Sequence, residues 1–273
     1  MEIDVSLYVD NNIHEVARDG NIDAIKLLLK KHIDINIQDK NGLTALMLAS
    51  RNGHHHVVEL LLKEHADINT QKKHGGTALM VASESGHHQV VEILLKEHAD
   101  INLQTKSGLT ALMLASQNSH TKIVEQLLKE HANVNTQEEI GWTALMLASQ
   151  NGHHQVVKLL LKEHADINHQ GKDGVTALML ASQNGHHQVI EILLKEHADI
   201  NHQGKDGWTA LMLASQNGHH QVIELLLKEH ANVNAQKVNG ATALMLASQN
   251  GHHQSLNFYS NYMSTSIARK KME

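Results

Sequence analysis

Thr44-Ala45-Leu46-Met47-Leu48-Ala49-Ser50 is the stretch whose reading decides the fold. The Thr-Ala-Leu-Met-x-Ala-Ser pattern returns at Thr77, Thr110, Thr143, Thr176, Thr209 and Thr242, each time 33 residues after the last, with no insertion or deletion. A fixed period of this length means one supersecondary unit, copied and stacked. Such an array grows by copying, so a length of 273 residues sets no count of globular domains.

The unit reads most clearly on Gly42 to Gln71. Thr44 precedes an apolar run, where its hydroxyl can accept a free backbone N–H as an N-cap. Ala45 to Arg51 then make a short helix, ended near Asn52-Gly53 by residues that tolerate left-handed backbone. His55 to Glu64 make a second helix, with Val57, Val58, Leu60, Leu61 and Leu62 expected inward. Ala66-Asp67-Ile68-Asn69 leads through a polar loop to Gly75 and the next Thr. Neither helix exceeds about three turns, so neither is stable alone and stacking must supply the missing burial. Glu59 and Lys63, spaced i,i+4 and recurring at Glu92/Lys96, Glu125/Lys129, Glu191/Lys195 and Glu224/Lys228, read as a solvated face.

Outward from this core the pattern weakens. Residues 11–43 are a more polar copy, with Asn11-Asn12-Ile13-His14 one period before Thr44, as an end cap needs. Residues 1–10 form a lead-in that carries Glu2, Asp4 and Asp10 and does not resemble a secretory signal. The array is therefore 11–254, with a cap at 11–43 and repeats over 44–254, the last incomplete, followed by a divergent tail at 255–273. That tail holds Phe258, Tyr259 and Tyr262, the only Phe and two of the three Tyr. Two readings stand for it. Leu256, Phe258 and Tyr259 improvise a helix covering Leu244 and Leu246, or the tail frays. Within the array, Gly141–Asp173 and Gly174–Asp206 differ at only four of 33 places, which invites register slippage. Gly108–Ile140 has Ser119 in place of Gly and Gln126 in place of Leu or Ile, which marks it as the soft unit.

Composition excludes several classes. Aromatics are only 2%, so the interior must be Leu, Ile, Val, Met and Ala. With no Cys there is neither a disulfide framework nor a thiolate metal site, and a reducing compartment is expected. A formal charge of -6 argues against nucleic acid. No apolar run approaches the roughly 20 residues that span a bilayer. These features point to a cytoplasmic protein, with the nucleus as an alternative, and to no membrane partner.

The 25 histidines form ladders, chiefly His54/His55 with its equivalents and the His65 series. Adjacent His on one helix point apart, and equivalents in neighbouring repeats should lie roughly 8–10 Å from each other, too far to share a zinc ion. They read as capping and bridging residues, with a pH-responsive or metal-responsive protein as the rival. No nucleophile–base arrangement, phosphate loop or carboxylate dyad stands outside the repeat. No enzyme, cofactor, metal site or small-molecule substrate is expected.

The consensus G-x-T-A-L-M-x-A-S-x-x-G-H-x-x-[VI]-[VI]-x-x-L-L-x-x-x-A-[DN]-[VI]-N resembles the ankyrin repeat, over roughly Asn11 to Gln254. The resemblance implies an all-α solenoid of helix-turn-helix units joined by β-hairpin loops. Two departures are systematic. The family's Thr-Pro-Leu-His is Thr-Ala-Leu-Met here, which removes a histidine that ties neighbouring hairpins and leaves its replacement open. The family's Gly after the second helix is His at His65, His98, His131, His164, His197 and His230, and positive φ is predicted there. Asn69, Asn102, Asn135, Asn168, Asn201 and Asn234 match an asparagine that holds the hairpin in the family and that hydroxylases modify.

By the same resemblance, hairpin tips and first helices line a concave face that binds other proteins. The copies disagree at just these places. The expected partner-binding positions are Leu43, Leu109, Trp142, Val175 and Trp208 before the Thr; Asn41, His74, Ile140, Asp173 and Asp206 two residues earlier; Lys40, Lys73 and Glu139 further out; and Arg51 and Glu84 after the first helix. Both Trp fall on one tip position and are read as contacts, against the alternative that each packs over its own hairpin. The function implied is a non-catalytic scaffold for another protein. The alternative is a spacer or fragment of a larger multidomain protein.

Overall fold

The computed structural model describes residues 13–270, with side chains as far as Ser264. The lead-in at 1–10 and Asn11-Asn12 of the expected cap lie outside the described residues. The chain divides into two compact units, Met1–Glu139 and Ile140–Glu273.

In the first unit the helices are α1 (Ile13–Arg18), α2 (Ile22–Lys30), α3 (Ala45–Arg51), α4 (His55–Lys63), α5 (Ala78–Ser85), α6 (His88–Lys96), α7 (Ala111–Gln117) and α8 (Thr121–Lys129). The second unit holds α9 (Ala144–Gln150), α10 (His154–Lys162), α11 (Ala177–Gln183), α12 (His187–Lys195), α13 (Ala210–Asn217), α14 (His220–Lys228), α15 (Ala243–Gln249) and α16 (His253–Lys270). Within each unit, first helices stack on first helices and second on second.

The two helix types are buried differently, as their sequences require. The first helices are apolar all round, and in α3 every residue from Ala45 to Ser50 is buried. Met fills the place of the family's histidine, and Met47, Met80, Met113, Met146, Met179 and Met212 are all buried. An unbranched thioether packs there without needing a polar partner. The second helices are amphipathic. In α4, Val57, Val58 and Leu61 are buried, whereas Leu60 and Leu62 are only half-buried. The expected five-residue inward face is therefore narrower, because a helix presents its core side at i, i+1 and i+4 and turns the flanking positions away.

The caps follow the sequence closely. Each Thr accepts from the backbone N–H three residues on, as Thr44 Oγ1 does from Met47 N at 3.3 Å. His65, His98, His131, His164, His197 and His230 have φ between 61° and 64°, so the left-handed backbone predicted for the His series is present, and His32 joins it at 54°. Ser119 adopts φ 61° where the other units use Gly, and the Gln126 Oε1 is buried without a hydrogen-bond partner among the described residues. Both observations locate local strain in the unit the sequence marks as soft.

The loops between helix pairs are tight turns, and no strand is assigned among the described residues. They close on two backbone bonds, such as Lys72 N to Gly76 O at 2.9 Å and Gly75 N to Lys72 O at 2.7 Å. Within each unit, one more backbone bond joins a tip to the preceding one.

In the tail, α16 is helical, and the residue that anchors it is Tyr259, at 1% exposed. Leu256 and Phe258 are half-buried, and Leu244 is 37% exposed, so the expected cover over Leu244 is not formed. The tyrosine instead reaches back to the preceding repeat, where its hydroxyl meets Ser215 Oγ at 2.6 Å. Burial pushes the Tyr259 phenol well above its usual range, with the bond to Ser215 opposing.

Candidate protein-binding surface

Within each unit the tips are held by polar bonds that only become visible in three dimensions. In the first unit, Lys73 N donates to Asn41 O at 3.1 Å, Lys106 N to His74 O at 2.9 Å, and Glu139 N to Ser107 O at 2.8 Å. In the second, Lys172 N donates to Ile140 O, Lys205 N to Asp173 O and Val238 N to Asp206 O. Alongside runs a side-chain ladder. Gln71 Nε2 donates to Gly75 O in its own turn and to Gln104 O in the next, at 2.8 and 3.1 Å. Gln38, Gln104 and Gln203 do the same. In the second unit His169 and His202 add Nε2–H bonds to Gly141 O and Gly174 O, both at 2.9 Å.

These bonds replace the tie lost with the family's histidine. The first repeat keeps that histidine: His14, one period before Met47, is buried and its Nε2 lies 3.0 Å from Ile37 O. The asparagine series bonds between repeats. Asn36 Oδ1 accepts from Asp67 N at 2.8 Å, and Asn69 and Asn102 accept likewise from Asp100 and Asn133. In the second unit Asn168 and Asn201 accept from Asp199 and Asn232.

The histidine just before the second helix is a second staple in six of the repeats. His54 Nε2 contacts Arg18 O at 2.8 Å, His87 contacts Arg51 O, and His120 contacts Glu84 O; in the second unit His186, His219 and His252 contact Gln150 O, Gln183 O and Gln216 O. A carbonyl only accepts, so each ring carries its proton on Nε2. The ring stands against a glycine of the preceding repeat. A Cβ on Gly53 would sit 2.6 Å from His87 Nδ1, so that glycine serves close approach as well as positive φ. Among the described residues, no three His, Asp or Glu come together in a way that could hold a metal ion.

The expected partner-binding residues divide into three groups. Lys40, Asn41, Arg51, Lys73, His74, Glu84, Glu139, Ile140, Asp173 and Asp206 are exposed. Asp206 does so with φ 63° inside a single 3-10 turn, Lys205–Gly207. Leu109, Val175, Trp142 and Trp208 are half-buried. Leu43 is buried, at 8% exposed. It occupies the position before the N-cap, where an apolar side chain turns back over the first helical turn, and its N–H is bound by Asp39 Oδ1 at 2.8 Å. Burial raises the Asp39 carboxyl, but the N–H groups of Leu43 and Asn41 outweigh it and the net shift is downward.

Both tryptophans touch the turn that follows their own. Trp208 lies beneath Lys237 of the following turn, with Nζ 3.6 Å from the ring centroid. Trp142 covers Gly171 of the following turn, where an added Cβ would come within 2.8 Å of Trp142 Cδ1. Positions 171 and 237 are equivalent, two periods apart, so each Trp bridges to the next tip in the same way. The apolar side chains that do project from the tips are Ile140, 51% exposed, and Val238, 84% exposed. Ile140 and Val238 stand at tip positions that are mostly polar in the other copies.

The outer side of the second helices carries few fixed ion pairs. Glu92 and Lys96 close at 2.7 Å, and the hydrogen bond with Lys96 holds the Glu92 carboxyl below its usual range. Glu59 and Glu191 face His56 and His187 in place of the expected lysines. No helix among the described residues is long and apolar enough to cross a membrane.

Comparison with curated proteins finds no match. A family model described as ankyrin repeats in three copies matches residues 13–105, 97–171, 156–237 and 178–261. Members of that family generally serve in protein–protein interaction and are typically non-catalytic. The repeated helix pairs, the threonine caps and this coverage of nearly all the described residues agree, and the chain belongs to the ankyrin-repeat family.

Proposed function

We propose that the chain is a non-catalytic scaffold that binds another protein through the turn tips and the ends of the first helices. The observation that carries this is a coincidence of variation with exposure. The Thr-Ala-Leu-Met-x-Ala-Ser positions scarcely change and, up to Ser215, are buried, while the places where copies disagree are mostly exposed. Stacking demands sameness inside and leaves the exposed tips free to differ, as a surface adapted to a partner would. The tips are fastened by backbone, Gln and His bonds, so little ordering is needed on association. Residues 11–254 form the binding array in this reading, and the cysteine-free composition favours a cytoplasmic setting.

Within this reading the contacts are weighted differently from the sequence expectation. Ile140 and Val238 supply apolar contact at the tips, Lys40 and Lys73 supply charge, and Trp142 and Trp208 act chiefly by rigidifying the tips they bridge. The test compares the wild type with a tip variant (Lys40→Glu, Lys73→Glu, Ile140→Glu, Val238→Glu) in capture from cell extract. A second variant altered only on the second helices (Lys63→Glu, Lys195→Glu) is the control. Loss of captured proteins in the tip variant alone is expected. An unchanged set from the tip variant, with its melting curve intact, would sink the proposal.

A further inference from the structure

The last repeat leaves open the surface against which a next one would stack. In α13, Leu211, Met212 and Ser215 are 1%, 0% and 0% exposed, because α15 covers them. At the equivalent places of α15, Leu244 and Met245 are 37% and 57% exposed, and Ser248 is exposed. The backbone tells the same story. A Cβ on Gly207 would meet Gln236 O at 2.9 Å, and one on Gly218 would meet the His252 ring at 2.5 Å; at Gly240 and Gly251 there is nothing within 4 Å. Two carbonyls complete the set. Asn239 O and Gln249 O stand one period after Asp206 O and Gln216 O, which accept from Val238 N and His252 Nε2. Among the described residues nothing is bonded to them.

Helix α16 does not close this surface. It takes the place of a second helix, packing on α14 and α15, and its tyrosine points back to Ser215 in the preceding repeat. The open end therefore continues the interface that joins the repeats before it, with apolar contact, acceptors and glycine clearance all in register.

We propose that this end face docks one further ankyrin-type repeat carried by a separate polypeptide. Its complement is fully specified by the interior junctions. The occupant must bring an apolar side chain at the Leu48 place to cover Met245, a turn N–H for Asn239 O, and a histidine over Gly251 for Gln249 O. The leading face of a second copy does not qualify. It has exposed Glu15 at the Leu48 place, and at the His54 place it has Asn21, whose side chain already accepts from Ala24 N. Two open ends face to face would set carbonyl against carbonyl and leave both rows unbonded.

The test builds the complement into the full chain. The probe is the full-length variant Glu15→Leu with Asn21→His, and Glu15→Leu alone serves as a second probe that keeps the Asn21 cap. Sedimentation should show the probe associating head to tail, with wild type terminating its growth. Met245→Glu in the receiving end should weaken this by at least about tenfold, since a carboxylate would be buried unpaired. Gly240→Asn should do so as well, because asparagine tolerates positive φ yet places a Cβ where the incoming turn must lie. The proposal is overturned if both folded probes sediment like wild type, or if association survives Met245→Glu. It is equally overturned if wild type alone pairs through this face.

Discussion

At the first repeat Glu15 stands exposed where every later repeat has Leu or Val; at the last, Leu244 and Met245 stand exposed where the preceding repeats bury them. The same unit has thus been finished in two ways. A stacked repeat has a leading side, lined here by the Leu48 place, and a trailing side, lined by the Leu46 and Met47 places. On the leading side of α1 one side chain differs, and Glu15 is exposed there. The trailing side of α15 kept the interior residues, so it still has the shape and chemistry of a junction. What changed at that end was the second helix, where Ser255 and Tyr259 appear. One end thus carries a charged side chain at its junction place, and the other keeps the apolar residues of an interior junction.

The sharpest way to break this comparison is to place one charge at equivalent positions. Met212→Glu should cost several kcal/mol, enough to unfold its repeat, because it buries an unpaired carboxylate. Met245→Glu should stay within about 0.5 kcal/mol, since water reaches it. Urea titration of the two variants checks this, and equal losses would mean the end face is covered in solution.

Next in size is the tyrosine anchor. Tyr259→Ala should cost about 3–5 kcal/mol at that end through the cavity it leaves. Tyr259→Phe should cost only about 1 kcal/mol, the loss of one hydrogen bond to Ser215. Because the folded phenol titrates above its unfolded value of 10.0, its contribution is complete below that pH. It is lost as pH rises through that value toward the folded one. Wild type should therefore lose stability above about pH 10 where Tyr259→Phe does not, as alkaline melting curves followed by circular dichroism would show.

The smallest effect concerns the interior, where the comparison with the ends needs a baseline. Ser119→Gly should stabilise by roughly 0.5–1 kcal/mol, since glycine adopts φ 61° without the Cβ penalty. Differential scanning calorimetry would read it as a small rise in melting temperature. A fall would show that Ser119 makes contacts worth more than its strain.

Most of the fold was legible because period, caps and breakers are local. Thr44 as N-cap, Ala45–Arg51 as a helix and His65 at positive φ all follow from one residue and its near neighbours. The candidate surface was legible only in part. Exposure at Lys40, Lys73 and Ile140 matched the sites of variation, but Leu43 turned inward and both tryptophans folded onto the next turn. Position before a Thr shows that a residue varies, not which way its side chain lies. The Gln ladder could have been suspected from its own recurrence at Gln38, Gln71 and Gln104. The partners of those amides are backbone carbonyls, one in the same turn and one in the next, and a carbonyl leaves no mark in the sequence.

By itself, the sequence determined that this chain is a stack of ankyrin repeats, with buried Thr-Ala-Leu-Met-x-Ala-Ser helices and a polar beginning. Periodic burial is a property of spacing, and spacing is written in the chain. Only the tertiary structure decided how the turns are tied without the family's histidine, that Trp142 and Trp208 lie against the following turn, and that Tyr259 anchors the last helix. It also decided that Leu244 and Met245 remain open. Those outcomes depend on contacts between repeats, and identical residues meet different fates when one has a neighbour and the other has water.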